Sequence, residues 1–174
     1  MPVEVFVRLA VEGDAEAIAQ IHVKAWQQAY RHLAQPALLD ALQPADRVER
    51  WREIILAPVE DAWIAELDGM PVAWATASDR DAAKHPRARE LNGMYALERA
   101  YGTGVGQLLL DAAIGRAQAF LWVAADNPRA HAFYRRNGFA VDGAVEVYEL
   151  LGSPIPVVRM VRSRALRSTR SAWR

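Results

Sequence analysis

Leu91-Asn-Gly-Met-Tyr-Ala-Leu97, four connecting residues, and then Gly102-Thr-Gly104-Val-Gly106-Gln-Leu-Leu-Leu110 carry the reading of this chain. The first run has the character of a strand and the second that of a glycine loop opening a helix. Glycines at every second position clear side chains from the backbone, and the helix start turns its unpaired N–H groups toward the same spot. Such a spot suits an anion, above all a phosphate. An ordinary glycine-rich turn into a helix accounts for the loop alone equally well.

Two phosphate-binding designs can be tested against these letters. A Walker loop needs Lys followed by Ser or Thr after its last glycine, and Gln107 and Leu108 stand there. A dinucleotide fingerprint finds an acid, Asp126, at the end of the short run Leu121-Trp-Val-Ala-Ala125. Its third glycine, however, would fall at Gln107, and its strand would run almost directly into the loop without Glu98-Arg-Ala-Tyr101.

A second constellation follows: Leu121-Trp-Val-Ala-Ala-Asp-Asn127-Pro-Arg-Ala130-His-Ala-Phe133-Tyr134-Arg-Arg-Asn-Gly138-Phe139. With both blocks in this order and at this separation, the chain resembles the GNAT superfamily of N-acetyltransferases from about Val3 to Arg162. That superfamily shows a strand, a loop R/Q-x-x-G-x-G/A opening a helix, a further strand, Asn, and a helix carrying A-x-x-F-Y ahead of G-F. The chain departs from the pattern at Tyr101, where the loop's Arg or Gln would stand, and at Glu98, where a Pro is usual. Most phosphate contact in this design comes from backbone N–H groups, which any residue supplies. Arg99 stands two residues from Tyr101 as an electrostatic substitute.

The resemblance implies a single-domain α/β fold over residues 1–162. Its sheet would be mixed and largely antiparallel, with six to seven strands flanked by helices and a parallel strand-helix-strand core. It also implies an N-acetyltransferase that moves the acetyl group of acetyl-CoA directly to a primary amine of a small molecule or peptide. Backbone groups of Met94, Tyr95 and Ala96 would hold the pantetheine arm as an added strand. The loop from Tyr101 through Gly102, Thr103, Gly104, Val105 and Gly106 to Gln107 would hold the pyrophosphate, with Asn127 near the pantetheine. Tyr134 matches the tyrosine that protonates the departing sulfur, and a phenol of pKa near 10 stays protonated at rest. Glu90, at the start of the strand before the loop, stands where similar enzymes carry a glutamate base acting through water. Asp79, Glu66 and His85 are alternatives. The acceptor wall would be drawn from Trp26, Tyr30 and His32, with Tyr148 and Leu150 opposite, and an aromatic wall beside acidic surface suits a cationic amine.

Composition agrees. The 174 residues are enough for one domain with a substantial core, and with no cysteine there is neither a disulfide nor a cysteinyl acyl-enzyme. The four histidines show no ligand spacing with carboxylates, so no metal is expected. No run approaches membrane-spanning length and the N-terminus lacks a signal-peptide apolar stretch, so a cytoplasmic protein is expected, a homodimer being compatible. The net charge is zero, yet six of the 21 basic residues are arginines from Arg159 onward, leaving 15 against 21 acids ahead of them. An acidic body disfavours nucleic acid there. The tail over 163–174 reads as a solvated basic extension. Two other functions fit the letters: a catalytically silent acyl-CoA sensor, and an RNA- or protein-docking module working through that tail.

Along the rest of the chain, Val3 to Leu9 reads as a strand, and Asp14 is placed to cap a helix with Ile18, Ile21, His22, Ala25, Trp26 and Ala29 on its apolar face. Helices are expected over 36–42 and 45–56, and a hairpin over 62–77 turning at Asp68-Gly69. A loop is expected over 78–89, a helix over 104–119, an Asn127-capped helix ending at Gly138, and closing strands over 139–145 and 157–161.

Overall fold

The computed structural model describes residues 4–163. Its elements run β1 (Val5–Leu9), α1 (Ala15–Ala29), α2 (Pro36–Asp40), α3 (Ala45–Leu56), β2 (Asp61–Leu67), β3 (Met70–Asp79), β4 (Arg89–Ala96), α4 (Val105–Ile114), β5 (Ala119–Ala124), α5 (Pro128–Arg136), β6 (Ala140–Leu150) and β7 (Ser153–Arg162). The strands form one sheet in the order β1-β2-β3-β4-β5-β7-β6, antiparallel throughout except for β4 beside β5. This is the mixed sheet with a parallel crossover that the sequence leads one to expect. The arginine tail lies, from Arg164 on, outside the described residues.

The β2–β3 hairpin turns through Asp68 (φ 51°) and Gly69 (φ 76°), the two positive φ values that a tight hairpin needs. β3 is buried on both faces because its residues split by size. Ala73, Ala75 and Ala77 face one side, where their small side chains leave room for α4 and its Leu109 and Leu110. Trp74 faces the other, packed with Trp51 of α3 and Ile18 and Ile21 of α1. Asp14 stands before α1, but its carboxylate takes the Val11 N–H (2.8 Å) and the Arg8 guanidinium (2.6 Å). Arg8 also reaches Glu66 at 3.0 Å, so one guanidinium ties β1 to β2 and to the start of α1.

Two elements differ from expectation. The helix after the glycine loop ends at Ile114, because Gly115 takes φ 50° and turns the chain away, and Ala119 already opens β5. The last two strands are longer than 139–145 and 157–161: they form a hairpin over 140–162 that turns at Leu151 (φ 52°) and Gly152 (φ 74°). Pro154 and Pro156 obscure it. Proline cannot donate to a ladder, but β7 pairs with β5 only from Val157 on, and Pro156 takes part beside it solely as an acceptor, from the Ala125 N–H at 2.8 Å.

Arg162 closes the fold. Its side chain is almost wholly buried, yet among the described residues no carboxylate lies within 4.0 Å of it. Instead it donates to the carbonyls of Ala117 and Gly115, each at 2.8 Å, and approaches that of Asn137 at 3.5 Å, with Phe139 beneath its guanidinium. These carbonyls belong to the turns that end α4 and α5, so one cation satisfies acceptors at two helix C-termini. Arg162→Leu is expected to destabilise the protein by about 3 kcal/mol, because it strands buried carbonyls. Equilibrium urea denaturation of the two proteins measures the difference.

Candidate active site

The site begins with a parting of strands. β4 pairs with β3 along its length but with β5 only at Glu90↔Phe120 and Leu91↔Leu121. Just beyond, the β3–β4 register slips: Ala77 faces Leu91 and Thr76 faces Gly93, leaving Asn92 as the extra residue of a bulge. A bulge bends its strand, and β4 and β5 separate from there on. The Leu97 N–H donates to the Val72 carbonyl (2.9 Å), on the β3 side. Strand alternation then turns the N–H groups of Met94 and Ala96 toward the open side.

A cleft of about 960 Å³ fills this opening and continues between the glycine loop and α5. Gly102 (φ 76°) and Gly104 (φ 90°) hold left-handed conformations that only glycine adopts without strain. Gln107 and Leu108 N–H turn back to the Gly104 carbonyl, at 3.1 Å each, whereas those of Val105 and Gly106 precede any intrahelical acceptor. Thr103 does not face the cleft: its hydroxyl donates to the Ala100 carbonyl (2.7 Å). Val105 buries its side chain in the core, so only its backbone is offered. Asn127 lines the cleft and caps α5, accepting the Ala130 N–H at 3.1 Å, and Tyr134 lines it about two helix turns further on.

The departure at Tyr101 has a structural answer that the sequence did not show. The Arg129 guanidinium lies 3.1 Å above the Tyr101 ring and lines the same cleft. Arg99 is not the substitute: it donates to the Pro71 carbonyl at 3.0 Å. The signal for Arg129 was its place at the second position of an Asn127-capped helix, facing a helix N-terminus across the cleft.

A second pocket, of about 570 Å³, lies on the other side of β4. His22, Trp26 and Tyr30 of α1, Arg47 and Trp51 of α3, Trp74 of β3 and Glu146 and Tyr148 of β6 wall it. Of the five residues expected on the acceptor wall, Trp26, Tyr30 and Tyr148 stand here, but His32 lines the first cleft, its Nε2 3.1 Å from the Asp126 carbonyl. Leu150 is buried among Leu39, Ala124 and Ile155. Tyr95 lines both cavities and is the partition between them, its hydroxyl 2.6 Å from that of Tyr30. Gly93 is required here, because a Cβ would come 2.9 Å from the Trp74 ring.

Glu90 lines neither cavity. It faces Ser78 across the ladder and is ion-paired with Arg80 at 2.5 Å. The bulge lies between it and the pocket. Two carboxylates do line the second pocket: Glu146 of β6, and Glu60, which accepts the Asn92 Nδ2–H at 3.0 Å, while Asn92 accepts the Ser78 hydroxyl at 3.0 Å. Asp79 is held by Arg89 (3.1 Å), Glu66 by Arg8, and His85 stacks on Phe120.

Burial governs the site's protonation. Desolvation raises the Tyr134 phenol well above 10, with Tyr30 adding to it, and raises Tyr95 and Tyr30 as well. His22 goes the other way, down to about 3, through burial first and the nearby Arg47 second. Its Nδ1 accepts the Trp51 indole N–H (3.2 Å), so the neutral ring carries its proton on Nε2.

A strand, a glycine loop, a split sheet and a buried tyrosine on the following helix thus meet in one cleft. The sequence profile of the Acetyltransferase (GNAT) family matches residues 15–139. The chain belongs to this family. It is 30% identical over 170 residues to a "Probable N-acetyltransferase Rv2775" of Mycobacterium tuberculosis, covering 93% of this chain and 97% of that one. Among solved structures, the PaiA N-acetyltransferase of Thermoplasma acidophilum in complex with coenzyme A superposes with a TM-score of 0.66 at 16% identity, over 90% of this chain and 98% of that one. The yncA acetyltransferase of Salmonella typhimurium with its cofactor acetyl-CoA gives 0.64 at 17%, over 97% and 96%. These likenesses show that the GNAT fold extends across the chain. Among the described residues, no group of three or more His, Asp or Glu could hold a metal ion, and no helix is long and apolar enough to cross a membrane.

His22 sets an acid limit on stability. An unfolded His titrates near 6.5 and the folded one near 3, so between these values the unfolded chain binds the extra proton and stability falls as pH falls. Thermal melts from pH 7 to 4 should show a decline that His22→Gln flattens. Asp14, held below its ordinary value by Arg8, acts only at lower pH.

Proposed function

We propose that this protein is an N-acetyltransferase that moves the acetyl group of acetyl-CoA directly to a primary amine of a small molecule or peptide. One observation carries the reading: the two cavities meet at Tyr95, so a thioester along the open edge of β4 and an amine in the aromatic pocket face each other across one side chain. Direct transfer accords with a chain that has no cysteine.

The residues fit the donor. The Met94 and Ala96 N–H groups would hold a pantetheine arm as an added strand, and one of them would polarise the thioester carbonyl. Gly102, Gly104, Gly106 and the backbone N–H of Val105 form the cradle for a pyrophosphate, with Arg129 beside it. The bound thioester supplies the activated acetyl group.

An alkylamine of pKa near 10.4 costs roughly 4–5 kcal/mol to deprotonate at neutral pH. We assign this task to Glu60 in place of Glu90, since Glu60 lines the pocket and is steered by Asn92. Glu60 takes one proton from the ammonium, directly or through water. Tyr134 gives its hydroxyl proton to the departing sulfur as the C–S bond breaks and the C–N bond forms, and regains a proton from the acylated nitrogen. Burial keeps that phenol protonated until it is needed.

Tyr134→Phe should lower kcat by about 10–10⁴-fold with little change in acetyl-CoA affinity. Glu60→Gln should hurt most at low pH, where free amine is scarcest, whereas Glu90→Gln should leave the pH profile unchanged. Thiol release across pH 6–9 with an amine panel reads all three, and an unaltered profile for Glu60→Gln removes that assignment. Gly104→Glu should abolish acetyl-CoA binding by calorimetry, because it brings strain and negative charge into the cradle. Binding without acetylation of any amine would make the protein a sensor instead.

A further inference from the structure

The second pocket holds an arginine with no counter-ion. Arg47 of α3 is half-buried and seated 4.9 Å above the Trp26 ring, and among the described residues no carboxylate lies within 4.0 Å of it. Its neighbour on the rim, Arg50, is held by Glu53 at 2.9 Å. A guanidinium carries five donors, and a half-buried one without an anion is an incomplete interaction.

The same wall has other unanswered donors. Nε2 of His22, Nε1 of Trp26 and Nε1 of Trp74 are buried with no hydrogen-bond partner, and all three residues line this pocket. The His22 nitrogen is a donor because its Nδ1 is occupied by Trp51. Those three nitrogens lie behind the wall, out of reach of solvent in the open pocket, so the donor the pocket itself presents to an acceptor-rich ligand is the Arg47 guanidinium. Arg47 also occupies a face of Trp26 that a cationic ligand would need for a cation–π contact.

The negative groups lie elsewhere on the wall, Glu60 beside the β4 bulge and Glu146 on β6. The pocket is therefore bipolar. We infer that the acceptor is a zwitterion: its amine meets Glu60 near the Tyr95 partition, and an oxyanion, carboxylate or phosphonate, is bound by Arg47. This rests on the acetyltransferase reading and narrows it to amino acids and aminoalkyl phosphonates with an apolar body. It replaces the cationic acceptor that the acidic surface and aromatic wall suggest from sequence.

The experiment compares matched probes. Tryptophan fluorescence and calorimetry, with coenzyme A present, follow binding of 3-phenylpropionate, its primary amide and 3-phenylpropylphosphonate. An oxyanion should bind at least about tenfold more tightly than the amide, the range of a charge-assisted hydrogen bond. Arg47→Gln should erase that difference and Arg47→Lys restore part of it, with the thermal melt and acetyl-CoA affinity of each variant showing that it is folded. Which of the two acids binds better separates a carboxylate site from a phosphonate site. Equal or weaker binding of both acids, binding of none of the three, or a preference that survives Arg47→Gln in the folded protein overturns the inference. Kinetics separate it from the reading beneath. Phenethylamine acetylated as well as phenylalanine sinks the zwitterion and leaves the acetyltransferase standing, whereas acid-selective binding without acetylation of any amine does the reverse.

Discussion

One extra residue in β4 is the constraint on which both cavities depend. Up to Leu91 the strand shares a parallel ladder with β5; past Asn92 the two edges part and leave backbone groups without partners. Unpaired backbone donors at the inner edge of a sheet are costly unless something pairs with them. An extended ligand that adds its own amides would repair the ladder, so the defect in the sheet suits the pantetheine arm proposed to lie there. The same bend carries Asn92 and Gly93 to the far face, where Gly93 admits the Trp74 ring and Asn92 steers Glu60. Without the bulge the sheet would close and neither cavity would exist in its present form.

The two cavities recognise through different parts of the chain. In the first the donors are backbone groups at a loop and a helix start, whose positions glycines fix. In the second they are side chains held by packing. Trp51 meets Trp74 edge-on at 4.6 Å, Trp74 meets Tyr95 at 5.1 Å, and His22 stacks parallel to Tyr95 at 6.3 Å. This chain of rings runs from α3 through the sheet to the partition, so the wall facing an acceptor and the wall facing the donor are mechanically one. Rigid aromatic surfaces lose little conformational entropy on binding, which favours a preformed site over one that closes around its ligand.

What could be read from sequence was whatever the chain encodes locally. Asp68-Gly69, the glycine loop and the Asn127-Pro128 cap each demand a particular backbone over a few residues, and each stands where expected. Elements that depend on neighbours were harder. The last two strands run well beyond 139–145 and 157–161, because the length of a hairpin is set by the pairing of its two arms and not by either arm alone. The helix after the loop was overrun to residue 119, although Gly115 was present to end it. The resemblance named Glu90 as a candidate base, but no reading of letters reveals a bulge; it lies between Glu90 and the second pocket and sets Asn92 against Glu60, 32 residues earlier. Trp26, Tyr30 and Tyr148, expected together, do line one pocket, because helix periodicity and a hairpin are regular. His32 lies past the end of α1, where periodicity no longer guides the reading, and it fell on the other side.

The replacement at position 101 shows how charge can be kept while its source moves. A loop arginine or glutamine would reach a pyrophosphate from the end of a mobile side chain. Here Tyr101 supplies a flat ring and Arg129 of α5 lies on it, so the guanidinium is held before any ligand arrives. Arg136 lines the same cleft, and the N-termini of α4 and α5 both open onto it. Two guanidinium groups and two helix starts together make a local positive field in a chain whose net charge is zero. The acids elsewhere do not cancel it, because surface charges more than about 8–10 Å apart are largely screened at physiological ionic strength. The positive character of this cleft thus comes from the geometry of two helices and one ring, whatever the sign of the surface around them, and it suits the polyanionic donor proposed above.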